Sequence, residues 1–517
     1  MTPAVRDRLI TCAALVFGAA PLWVTRQLPV VDLPQHLHLI SVLHRLGDTT
    51  TLYPEIFQRR PELTPYLGYY YTVSLLHWLL PLELANRLFL TAYVVGLPLS
   101  LAALLGSLGR PTWPSLLALP FAYGDSFAWG FINYCSAMPL ALLCCALIVR
   151  SLRDPDRRAR WALRHAGALV LVLLFHVQVF AFLALALPWL LLMVKAESPD
   201  GWWRARLPAL ASLAPAVLLF LIWVVLRAGE PTEVVQGAPW KAWGPMLSEQ
   251  NVLYNSFAQN QQELWLKLAN ALKDGSDRDA LWVVVVVAIG AAVLGATFEL
   301  ARPTAHTLRS LGAMLGLAAA ALVLFFTLPF DIRGYIYYLN TRYAHLAAVA
   351  LAGCLPAAHE RLQPYLRWAA AAAVAWFGLT LARGYARFDA ESLPLRELSA
   401  AAAPRPRVMG LIYDTSSSAV THPVFLHSAC VVAREGGGLC NFSFALTPHS
   451  PLEYRVAPPP TFPSEWHPEK FRWDSMGAAY DHFLIRGAPP ESVLGRHAGT
   501  ELVPVAQSGG FWLLRRR

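Results

Sequence analysis

Residues 9–38 read LITCAALVFGAAPLWVTRQLPVVDLPQHLH. An apolar run from Leu9 to Val24 gives way to Asp32, then to His36 and His38. A bilayer core about 30 Å thick takes roughly 20 helical residues. Arg6 and Arg8 precede the run, as basic residues do on the cytoplasmic side of a span. The stretch reads as a first membrane span that opens into an outward loop. A basic start before an apolar run also suits a secretory leader, but no small-residue cleavage site leads into a soluble domain, so the span is read as retained. Beyond it, Asp32 can cap a helix over Leu33–Leu46 that tolerates Pro34 in its first turn and stops at Gly47. One turn on, His36 falls on the face of Asp32, whereas His38 points elsewhere.

The rest of the chain repeats the apolar pattern. Of 517 residues, 56% are hydrophobic and 15% charged, against about a quarter charged in soluble domains; mean hydropathy is +0.42. This balance excludes disorder and disfavours a soluble enzyme. Candidate spans are 9–25, 86–107, 113–128, 132–150, 166–194, 205–227, 280–300, 307–329, 343–357 and 364–382. Connectors carrying Arg153, Arg157, Arg158, Arg160, Arg204, Arg206, Arg302, Arg309, Arg361 and Arg367 belong on the cytoplasmic side. The acid-rich stretch 229–279 belongs outside. Both assignments hold only if 166–194 crosses twice, as a hairpin around His176 to Phe180; one long tilted helix would put the tail inside. The expected fold is mainly α: a polytopic transmembrane helical bundle of about eleven spans over 1–385, with outward loops 26–85 and 229–279, and a small α/β domain over 386–517. The net charge of +9 then falls mostly on inner connectors and does not point to nucleic acid.

The tail is rich in Pro, Gly, Ser and His. Strands are expected at Val408–Tyr413, Val424–Val432, His482–Arg486, Glu501–Ala506 and Phe511–Leu514, and helices at Leu393–Ala402 and Glu491–His497. Cys430 and Cys440 could pair in an oxidising compartment. His422, His427, His449 and His467 show no metal-ligand spacing and read as surface or loop residues, and Gly436–Gly438 as a turn.

Chemistry concentrates at the outer face. Asp32 with His36 is an acid-base candidate. A metal site built from Asp32, His36 and His38 is disfavoured because their helical directions diverge. The stretch Asp331–Tyr343 places Arg333 and Arg342 where basic residues are rare. A guanidinium fork there suits a phosphate; the plain alternative is snorkelling to lipid headgroups. Asp125 and His176 are ionisable groups within apolar runs, a placement that is costly without a use. Tyr69, Tyr70, Tyr71 and Trp78 form either an interfacial belt or the wall of a route for an apolar chain.

This arrangement resembles the GT-C class of integral-membrane glycosyltransferases, over roughly residues 1–385: one span, an outward loop with an early Asp, surface helices, many further spans and a late outward Arg. The resemblance implies a cytoplasmic-membrane enzyme whose tail domain is extracytoplasmic. It would take a sugar, hexose or pentose, from a polyprenyl-phosphate carrier in the lipid bilayer and pass it to a glycan, lipid or protein acceptor. Asp32 would carry over as general base with His36 beside it, and Arg342 as carrier-phosphate ligand with Arg333 as fallback. His38, Tyr70, Asp125 and His176 would complete the substrate site. No adjacent acidic pair occupies the first loop, so a divalent metal cofactor is left open. The rival readings are a transporter or lipid flippase, which calls for midplane polar residues and an internal repeat, and a noncatalytic subunit of an envelope polymer assembly system.

Overall fold

The computed structural model describes residues 2–61, 64–197, 201–226, 251–301, 303–332, 337–447 and 449–517. Arg333 and residues 229–250 of the second outward loop lie outside them.

Apolar sequence forms helices here because backbone groups in hydrocarbon must be satisfied within the segment. Among the described residues, five helices are long and apolar enough to cross a membrane: Leu82–Ser107, Ile132–Arg153, Ser276–Leu300, Ala305–Thr327 and Gln363–Ala400. The bent pair Trp202–Ala211 and Ala214–Leu226 makes a sixth if it counts as one span. Shorter helices, Pro3–Ala19, Arg158–Phe175, Val177–Met193 and Tyr343–Gly353, pack among them. The chain is an integral membrane protein, and helix length alone accounts for five or six of the eleven expected spans.

One expected span is corrected. Residues 113–128 form 3₁₀ turns from Trp113 to Tyr123 and then a short helix, Asp125–Trp129. Pro120, inside the run, lacks the N–H that a regular helix needs, and the run is compact and buried instead of a rod. A second expectation is resolved by hydrogen bonds. The 158–193 run breaks at His176, whose backbone is extended (φ −162°, ψ 121°). Past the second helix, the Glu197 N–H donates to the Leu152 carbonyl at 2.9 Å and Arg158 reaches the Glu197 carbonyl at 3.5 Å. The start and end of the run lie side by side, so it turns back at His176 as a hairpin.

The polar contacts separate into two ends. At one, Arg110 meets Glu299 at 3.3 Å and the Leu355 carbonyl at 2.7 Å, Arg153 meets the Ser107 carbonyl at 2.9 Å, and Arg367 pairs with Asp7. The other carries Asp32, His176, Arg342 and the tail. The first helix packs on Gln363–Ala400 through small residues: a Cβ at Gly378 would lie 2.3 Å from the Phe17 carbonyl oxygen, so only glycine allows that approach.

That 38-residue helix runs straight across the expected 385/386 boundary and carries the chain into the tail. The tail sheet orders its strands as Leu439–Cys440, Arg407–Ile412, His482–Arg486, Phe511–Arg516 and Leu502–Ser508. The first three run parallel and the last two pair antiparallel. The strand expected at Val424–Val432 is instead mostly the helix Ser428–Gly436. Its β-branched composition is overridden by packing, because the segment lies between the 363–400 helix and the helix Leu33–His44. Cys430 and Cys440 form a disulfide that ties this helix to the edge strand.

The loop after the first helix is stitched to the tail. Phe57–Arg59 pairs antiparallel with Leu452–Tyr454. The Leu52 N–H donates to the Gly437 carbonyl at 2.9 Å, His38 Nε2 donates to the Gly438 carbonyl at 3.0 Å, and Arg405 pairs with Glu55. The glycine run is thus a turn whose carbonyls receive the loop.

Candidate active site at the junction with the tail

Asp32 opens the helix Leu33–His44 without capping it: its side chain makes no bond to the first-turn N–H groups. Its Oδ1 instead accepts from His427 Nε2 at 3.1 Å. The expected cap is therefore corrected. The main chain holds the residue in place, the Val31 and Asp32 N–H groups donating to the Ala128 and Trp129 carbonyls at 2.9 and 3.0 Å. Gly130 adopts φ +100° against Asp32, where a Cβ would come within 2.7 Å of the Asp32 Cβ. A side chain there would be both strained and obstructed.

His427 corrects a second expectation. It is not a surface residue but 3% exposed, whereas Asp32 is 18% and Glu465 27% exposed. Its Nδ1 accepts from Gln35 Nε2 at 3.2 Å and lies 3.5 Å from Glu465 Oε2. In the neutral ring, Nε2–H donates to Asp32; once protonated, Nδ1–H faces Glu465. Burial alone would depress this imidazole, but the Glu465 and Asp32 carboxylates more than offset it and hold the pKa above 6.5. Burial also raises the Glu465 carboxyl. The sign follows from linkage. A raised histidine contributes stability that is complete below about 6.5 and is lost as pH rises through its folded value. The thermal unfolding temperature of the wild type should therefore fall as pH rises from about 6.5, and His427→Gln should flatten that dependence. An unchanged slope in the variant would show that another group sets it.

His36 is buried and lies near Asp32 but bonds elsewhere. Its Nε2–H donates to the Gly130 carbonyl at 3.0 Å, and its Nδ1 accepts from the Tyr70 hydroxyl at 2.7 Å. Burial lowers its pKa, so it stands as a neutral ring of fixed tautomer that pins the Gly130 turn and Tyr70. His38 is fully buried against Tyr53 and Phe57, and burial pushes its pKa down to about 4.

Asp125 begins the same turn and lies in a buried charge cluster. Its Oδ1 accepts from His422 Nε2 at 2.9 Å and its Oδ2 meets Lys267 Nζ at 3.2 Å; Lys267 also meets Glu263 at 3.2 Å. His422, too, is buried, contrary to the surface reading. Removing one partner from such a cluster strands a charge and costs about 3–5 kcal/mol. Lys267→Met should accordingly lower the unfolding temperature in detergent, and adding Asp125→Asn should restore part of the loss. Equal stability of Lys267→Met and wild type would show that water already screens the cluster.

The Arg342 guanidinium carbon lies over the Phe131 ring, 3.8 Å from its centroid. Its Nε and Nη2 donate to the Tyr338 and Tyr337 carbonyls at 3.2 and 2.9 Å, and its Nη1 approaches His176 Nε2 at 3.4 Å. A guanidinium has five N–H groups, so these contacts leave donors for a ligand. Asp32 and Arg342 are linked through one short turn. Trp129 receives the Asp32 N–H, Gly130 receives His36, and Phe131 supports Arg342. Trp129 and Phe131 are two residues apart, at most about 7 Å between Cα atoms.

No protein-family model matches the chain, and no curated protein matches by sequence. Among solved structures, the chain is similar to apo ArnT from Cupriavidus metallidurans at TM-score 0.53 and 12% identity, over 99% of this chain and 98% of that one. It is likewise similar to the mycobacterial arabinofuranosyltransferase AftD at TM-score 0.53 and 12% identity, over 100% of this chain but 40% of AftD. The same ArnT bound to undecaprenyl phosphate aligns at TM-score 0.46. The chain has the GT-C fold. Within this GT-C fold, no group of three or more His, Cys, Asp or Glu side chains among the described residues is placed to hold a metal ion. Sequence reading missed Gln35, Lys267, His422, His427 and Glu465. The one signal available was a lone histidine inside the apolar run Val424–Val432, since an ionisable group in such a run has a partner when buried.

Proposed function

We propose that this chain is an integral-membrane glycosyltransferase that moves a sugar from a polyprenyl-phosphate carrier to an acceptor hydroxyl, at the face where the tail meets the membrane body. The observation that carries the reading is the partly exposed Asp32 carboxylate, held by a buried histidine and joined through one turn to Arg342, in a chain of GT-C fold. Asp32 takes the acceptor hydroxyl proton as the oxygen attacks the anomeric carbon. The bond from that carbon to the phosphate oxygen breaks, its electron pair stays on the phosphate, and Arg342 compensates the new charge. Attack opposite the leaving phosphate inverts the anomeric configuration. His427 acts through Asp32 and sets its orientation, while Glu465 sets the charge of His427. His36 and Tyr70 hold the turn that connects the two halves.

A tail joined by the Cys430–Cys440 disulfide suits an oxidising, extracytoplasmic compartment, and the arginine-rich opposite end suits the cytoplasm. The test is transfer by the purified protein from a panel of polyprenyl-phosphate hexoses and pentoses, with the anomeric configuration of the product read by NMR. The expected result is transfer from at least one lipid-linked donor with inversion. Transfer from nucleotide sugars alone would overturn the carrier assignment.

A further inference from the structure

One cavity lies away from the Asp32 carboxylate. A cavity of about 300 Å³ lies behind the helix Leu33–His44, which turns Leu33, Pro34 and Leu37 toward it. Arg26, Arg87, Arg396 and Arg434 line it, with Glu83 and Glu435 as the acidic side chains of the same wall. Arg434 is committed to Glu83 at 2.9 Å and Glu435 at 2.8 Å, and Arg396 to Asp389 at 2.8 Å. The other two guanidinium groups are not neutralised in this way. Arg87 donates to the carbonyls of Thr25 and Arg26; the Arg26 backbone N–H donates to Asp389 Oδ1 at 2.6 Å, and its guanidinium makes no ion pair among the described residues. Arg87 also belongs to the first turns of the helix Leu82–Ser107, whose N-terminus carries partial positive charge and has no side-chain cap.

The depth of the cavity indicates its occupant. Trp23, 44% exposed, donates its indole N–H to Thr91 at 3.1 Å, one helical turn from Arg87. Exposed Val24 adjoins it. An outward-facing Trp on an apolar surface marks the level of the lipid headgroups, where phosphates lie. An arginine pair above an apolar floor matches the phosphate and upper chain of an anionic lipid.

We propose that this cavity binds the phosphate of an anionic lipid headgroup, at a site separate from the Asp32 carboxylate. The proposal goes beyond the transferase reading and does not depend on it. The experiment uses the full chain in detergent, with native mass spectrometry to count bound ligand. It is titrated with phosphatidylglycerol, with phosphatidylcholine as the zwitterionic arm and glycerol 3-phosphate as the free-phosphate arm. Phosphatidylglycerol should bind in preference to both, and Arg26→Glu should weaken it about tenfold or more. Arg26 is exposed, so this change spares the core. Asp32→Asn should bind the lipid as the wild type does, whatever happens to transfer. Equal binding of phosphatidylcholine, full competition by glycerol 3-phosphate, or unchanged affinity in Arg26→Glu would each overturn the proposal.

Discussion

Asp32→Asn should abolish most sugar transfer, lowering kcat by about 10³-fold with little change in donor KM. The substitution keeps the shape of the side chain and an oxygen facing His427 Nε2, which lies at 3.1 Å. What it removes is the negative charge and the basicity that would accept the acceptor proton. Because the Asp32 backbone is fixed independently by bonds to Ala128 and Trp129, the variant should fold. Single-turnover transfer from the preferred lipid-linked sugar measures the effect, with the unfolding temperature as control. Activity within a few-fold of wild type would remove Asp32 from the catalytic role.

Arg342→Ala should cost about 10²–10³-fold in kcat, the range seen when one group that stabilises developing charge is lost. The charge on the departing phosphate grows as the anomeric bond breaks, so the loss should fall on kcat more than on KM. Arg342→Lys should recover little. An ammonium cannot donate to the Tyr337 and Tyr338 carbonyls, lie over Phe131 and still present paired donors to a phosphate. Full rescue by lysine would mean that positive charge alone matters, and unchanged kcat in both variants would place the carrier phosphate elsewhere.

Much of the membrane body was legible because its signal is local. The apolar runs around 86–107, 132–150, 280–300, 307–329 and 364–382 fall on the five long helices, and the basic connectors gather at one end. Pro120 already warned against a regular helix at 113–128, yet mean apolarity outweighed it in the reading. The hairpin at His176 followed from charge placement, a long-range argument that worked because both ends of the run are basic. The strand expected at Val424–Val432 failed for the opposite reason. Its composition favours a strand, but the space between two helices admits a helix.

The candidate site was half legible. Asp32, His36, Asp125 and Arg342 stood out as polar residues at the outer ends of apolar runs. Their partners did not, because His427 is 395 residues from Asp32 and His422 is 297 from Asp125. No spacing rule reaches that far, and the apolar run around His427 could signal its burial but not its partner. By itself, the sequence determined that this is a many-helix membrane protein, because hydrocarbon thickness and charge asymmetry act residue by residue. Only the tertiary structure decided which groups face one another. Docking the tail on the first loop removes water from His422 and His427, and each then stands buried against an aspartate of the membrane body.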